Sequence, residues 1–127
     1  MADEKLHHQS QAHSFAVAFT GIGRTFKNEL HMKIHLCFAI AALVACAALG
    51  VDAIGWCLVI LCIGMVFAAE LVNTALEALC DKVSPEIDPR IKVCKDAAAG
   101  AVLVLAICSV IVGLIVYIPP FLRLIGA

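Results

Sequence analysis

A chain of 127 residues that is 63% apolar and 15% charged departs from soluble domains, which carry about 45–50% apolar and about 25% charged residues. Its length suits one domain, and a formal net charge of −1 excludes the strongly basic footprint of a nucleic-acid binder. The apolar excess is concentrated in three blocks, near 36–50, 53–69 and 97–118. Each reaches the ~20 residues that cross a bilayer once flanking residues join it; the first must borrow 33–35 or 51–52 to do so. The chain therefore reads as an all-α integral membrane protein.

Residues 1–13 form a polar tail containing His7, His8 and His13. No short apolar core precedes a small-residue cleavage site there, so a cleavable leader is not expected. The histidine pair reads as solvated surface rather than metal ligands. From about 14 to 30 the pattern turns amphipathic: Phe15, Ala18, Phe19, Ile22 and Phe26 recur at helical spacing, with Arg24, Lys27, Asn28 and Glu29 between them. This suits a helix lying in the membrane interface or packed on the spans, with Gly21 and Gly23 weakening or bending it. His31 and His35 follow at i, i+4, a metal-capable spacing without a neighbouring third ligand, and read as interfacial histidines.

The first span is expected at about 33–50. The connection 50–55 holds one charge, Asp52, and predicts a tight turn; Trp56 sits where an interfacial aromatic anchor belongs. The second span, about 53–80, leads into a connection over 81–96 with Lys82, Arg90, Lys92, Lys95, Pro85 and Pro89. The positive-inside rule places that connection, with Arg24, Lys27 and Lys33, on the cytoplasmic side. The third span, about 95–118, opens with small residues that allow close helix approach, which would bring Lys95 and Asp96 against the Glu70–Glu77 face, and Pro119-Pro120 is expected to end it. Residues 14–127 are thus read as a single membrane domain. The seven cysteines fall mostly in apolar runs without a C-x-x-C pair and read as small hydrophobic residues.

The chemistry gathers at Glu70-Leu71-Val72-Asn73-Thr74-Ala75-Leu76-Glu77. On a helix Glu70, Asn73, Thr74, Glu77 and Asp81 share one face. Ionisable groups at the end of an apolar run are costly to bury, which marks a functional site. At 1.5 Å per residue from Ala53, Glu70 lies roughly 25 Å down the axis, near the inner edge of a hydrocarbon core about 30 Å thick, and Glu77 about 10 Å beyond. Glu70 at that depth can serve as a base toward a hydroxyl. Glu29 and Glu77 can share Mg²⁺ together with phosphate oxygens, and Lys95 can neutralise phosphate. These are parts for phosphoryl transfer, although no G-x-x-x-x-G-K-[ST] loop occurs. From spacing alone three readings stay open: lipid-directed phosphotransfer, a transport path, and polar side chains that only hold helices together.

The Glu70–Glu77 motif, Asp81, and Lys95-Asp96-Ala97-Ala98-Ala99-Gly100-Ala101-Val102 resemble the signature of the prokaryotic diacylglycerol kinase and undecaprenol kinase family. The resemblance runs from about Phe15 to Gly113 and includes Gly21 and Asn28-Glu29. It implies a homotrimeric membrane kinase with an N-terminal surface helix, three transmembrane helices per subunit and composite sites between subunits. It implies Mg²⁺ and ATP, a membrane lipid alcohol as acceptor, and a bacterial cytoplasmic membrane. By position, Glu70 resembles the catalytic base, and Glu29 and Glu77 the metal-binding carboxylates. Asn73, Lys95 and Asp96 resemble nucleotide and catalytic-site residues, with Asp81 a less certain companion. His35 stands where the diacylglycerol branch carries a further Glu, and Lys33-Ile34-His35 looks like the R-I-H pattern of the undecaprenol branch. Undecaprenol is therefore favoured over diacylglycerol as acceptor.

Overall fold

The computed structural model describes residues 11–84, 86 and 88–126; His7 and His8 lie outside them. Four helices follow in order: α1 Gln11–Asn28, α2 Leu30–Leu49, α3 Ala53–Val83 and α4 Pro89–Leu124. The last three are long and apolar enough to cross a membrane. They run up, down and up. α3 packs most extensively on α4, α2 leans on both, and α1 touches α2 and α3 only, among the described residues.

Each junction is set by local chemistry. Glu29 leaves the helical conformation at φ −93°, ψ 126° and caps the start of α2, while its N–H still donates to Thr25 O at 2.9 Å. Its carboxylate makes no capping hydrogen bond. The α2–α3 turn needs Gly50 in the left-handed region at φ 61°, which glycine adopts without a Cβ clash. Asp52 then accepts from Gly55 N at 2.8 Å and starts α3. A Cβ at Gly55 would collide with Val51 and stand 3.1 Å from Val116, so this glycine lets α3 and α4 close at their far end.

Two expectations are corrected. The connection over 81–96 contracts to 84–88, because α3 runs on to Val83 and α4 begins at Pro89. Asp88 caps α4 by accepting from Arg90 N at 2.7 Å, and a proline at the first helical position is already set at the right φ. Asp81, Lys92, Lys95 and Asp96 are therefore helical residues in fixed register. Second, Pro119-Pro120 does not end α4, which continues to Leu124. Proline deletes donors and crowds the preceding turn, yet membrane helices tolerate it, and Pro120 is buried. α1 likewise passes through Gly21 and Gly23 unbroken.

At 31 and 36 residues, α3 and α4 reach roughly 46 and 54 Å, well beyond a hydrocarbon core of about 30 Å. Most of their charged residues (Glu70, Glu77, Asp81, Lys82, Arg90, Lys92, Lys95 and Asp96) fall toward the α1 end, and Arg123 stands at the other. At the other end Tyr117 donates to Ala42 O at 3.0 Å and lies 3.7 Å from Cys46 Sγ. All seven cysteines are free thiols. α1 is held by an edge-to-face contact between Phe26 and Phe67, centroids 5.2 Å apart, while Phe15 and Phe19 stay exposed. Only 6% of the most apolar window of α4 is buried. So open a face requires lipid or further protein around it.

Candidate active site

One face of α3 turns its polar residues inward at the α1 end. Glu70 is 3% exposed and Asn73 6%. Both are aligned by the i, i+3 register read from the motif. They line a cleft of about 410 Å³ with Glu29, Glu77, His31 and His35, closed on the α4 side by Ala99, Val102, Leu103 and Ala106. The small residues at the start of α4 thus leave the space that the carboxylates face. Glu29 enters from the α1–α2 elbow, so the two candidate metal carboxylates come from different elements into one cleft.

Glu70 has a partner. His31 Nδ1 stands 3.6 Å from Glu70 Oε1, just beyond hydrogen-bond reach. Their side chains differ sharply in exposure, 74% for His31 and 4% for Glu70. Asn73 Oδ1 is buried and has no hydrogen-bond partner, which costs about 1–3 kcal/mol in a folded protein. An acceptor held open at that cost beside Glu70 is suited to a donor from a bound molecule. Thr74 is half-buried on the same face.

Lys95 and Asp96 lie outside their own chain's cleft. Lys95 Nζ donates to Asp81 Oδ1 at 2.8 Å and also feels the Glu77 carboxylate. Asp96 is exposed and pairs with Lys92 one turn earlier. The expectation that Lys95 and Asp96 would pack against the Glu70–Glu77 face is met only through the Lys95–Asp81 bridge. His31 and His35, read as interfacial, also line the cleft, and their i, i+4 spacing on the helix that follows Glu29 was the available signal.

Among the described residues no group of three metal-ligating side chains forms a ready cage. Mg²⁺ seldom needs one: it keeps waters and takes one or two carboxylates plus substrate phosphate. Glu29 and Glu77, which line one cleft from different elements, fit that use.

A three-span membrane bundle with a buried carboxylate, an unpartnered amide and two further carboxylates in one cleft defines the class: a small membrane enzyme acting where apolar and aqueous phases meet. Residues 16–117 match the family model described as prokaryotic diacylglycerol kinase, and the chain belongs to that family. It is therefore a phosphotransferase with an alcohol acceptor, a membrane lipid kinase for which ATP is the implied co-substrate. It is 39% identical over 106 residues to the undecaprenol kinase of Bacillus subtilis, covering 84% of this chain and 86% of the relative. It is 38% identical over 112 residues to the diacylglycerol kinase of Synechocystis, covering 87% of this chain and 64% of that longer relative. Membership in a kinase family decides against the transport and purely structural readings.

Proposed function

We propose that this protein phosphorylates the hydroxyl of a lipid alcohol embedded in the membrane, with undecaprenol favoured over diacylglycerol. The observation that carries the reading is the burial of Glu70 in a cleft that Glu29 and Glu77 also line. The acceptor's hydroxyl sits at the depth of Glu70. Its oxygen attacks the γ-phosphorus, the bond to the β-phosphate oxygen breaks, the proton passes to Glu70, and ADP leaves. Glu29 and Glu77 would hold Mg²⁺, which when bound neutralises phosphate charge. Asn73 orients a bound donor with its open Oδ1. Positioning and charge neutralisation supply most of the acceleration in such transfers.

Lys95 and Asp96 serve the nucleotide side of a composite site in a homotrimer. Their place outside their own cleft supports a site completed by a neighbour, as does the uncovered apolar face of α4. The cleft faces the cytoplasm, on the strength of the basic residues at that end, and 14–127 act as a single kinase domain in a bacterial cytoplasmic membrane. The two relatives are too evenly matched to choose the acceptor. The Lys33-Ile34-His35 pattern, with His35 on the cleft wall, favours undecaprenol.

The test is transfer of labelled γ-phosphate by purified protein in mixed micelles with Mg-ATP and either lipid. Label mainly in undecaprenyl phosphate is the expected result. Label mainly in phosphatidic acid would overturn the acceptor assignment, and label in neither would overturn the function.

A further inference from the structure

A second cavity, of about 460 Å³, lies outward of the carboxylate cleft and is walled by α2, α3 and α4. The two cavities share His35 and Ala106. The same helix faces continue from one into the other. On α3, Glu70 and Asn73 face the cleft, and Val66, Cys62 and Val59 continue outward at helical spacing. Residues of α4 line it from Ala106 to Ile118, a reach of roughly 18 Å. Ser109, one of the few polar groups on the wall, spends its hydroxyl on Leu105 O at 2.8 Å. At the far end Tyr117 crosses to α2 and donates to Ala42 O at 3.0 Å, leaving its ring as a wall. Gly113 stands one turn before it, and a Cβ there would already touch Tyr117 Cε2 at 3.4 Å.

We infer that this cavity receives the hydrocarbon chain of the acceptor lipid, with Gly113 and Tyr117 setting how much of the chain fits. The inference rests on the lipid-kinase reading. Continuity with the cleft through His35 and Ala106 selects this occupant: a lipid whose hydroxyl reaches Glu70 has its chain leading into the cavity mouth. A helix of a second copy, ~10–12 Å across, is the competing occupant, and the oligomeric state of each variant distinguishes it. One such cavity takes one chain. A prenol has one, and a diacylglycerol would leave its second chain in the bilayer.

The experiment is a kcat/KM series over linear prenols of increasing length up to undecaprenol, for the wild type, Gly113→Leu and Tyr117→Ala, with oligomeric state measured for each. In the wild type kcat/KM is expected to climb with length and level off before full undecaprenol length. Gly113→Leu moves the levelling-off to shorter prenols, with KM for long prenols rising at least several-fold and KM for ATP unmoved. Tyr117→Ala moves it to longer ones. Ile107→Phe, on the exposed lipid side of α4, leaves the profile in place. A profile that is flat, or the same in all variants while phosphorylation proceeds, would overturn the cavity assignment and leave the kinase reading standing. So would a change of oligomeric state with an unmoved profile, which would make the cavity a subunit seat. Absence of phosphorylation of every prenol and of diacylglycerol by the wild type would remove the kinase reading itself. Should Gly113→Leu fail to fold, Gly113→Ala and Tyr117→Ala carry the same comparison.

Discussion

Asn73 is the residue whose geometry says most about use. A buried amide oxygen without a partner destabilises the fold by about 1–3 kcal/mol, so its retention makes sense when a ligand supplies the donor. Replacing Asn73 with Leu is expected to raise thermal stability in detergent by on the order of 1 kcal/mol and to lower phosphotransfer at least about ten-fold, equivalent to about 1.4 kcal/mol. Unfolding curves and turnover measured on one preparation check both halves; a variant that is less stable, or fully active, contradicts the assignment. The alignment of Glu70, Asn73 and Glu77 was legible in the sequence, because helical register alone fixes it. The approach of His31 to Glu70 was not. It depends on how α2 crosses α3, and that crossing is set by packing between residues about forty positions apart.

At the scale of elements, the four helices and their order were readable from apolar blocks and amphipathic spacing, whereas their ends were not. Lys82, Arg90, Lys92 and Lys95 looked like a charged loop, yet two helix ends projecting past the hydrocarbon have the same composition. The capping pair Asp88–Pro89 was the overlooked signal. Removing this cap tests its role. Asp88→Ala is expected to destabilise the protein by about 1 kcal/mol and Asp88→Ser to restore most of the loss, read as a shift in thermal midpoint by circular dichroism in micelles. Equal midpoints for the two variants would contradict it. Pro119-Pro120 misled in the opposite sense, since the rule that prolines stop helices belongs to water, and α4 carries them inside its final turns.

For the whole molecule, the exposed apolar faces and the position of Lys95 and Asp96 outside their own cleft lead to one expectation. Protein bearing Glu70→Gln and protein bearing Lys95→Met, each inactive alone, should regain activity when co-assembled, because some mixed sites hold both intact residues. Native mass spectrometry of the mixture should show trimers. Mixed oligomers that stay inactive would mean that each chain completes its own site. Subunit number was not legible in the physics of the sequence; an apolar helix face reads the same whether lipid or another helix covers it.

The central claim is that Glu70 takes the acceptor's proton, and the most direct measurement is turnover by Glu70→Gln beside wild type, with ATP binding and oligomer assembly followed in the same samples. Loss of lipid phosphorylation by about 10²-fold or more, the scale of a general base, with binding and assembly intact, is the predicted result. Near-wild-type turnover by the glutamine variant would contradict it.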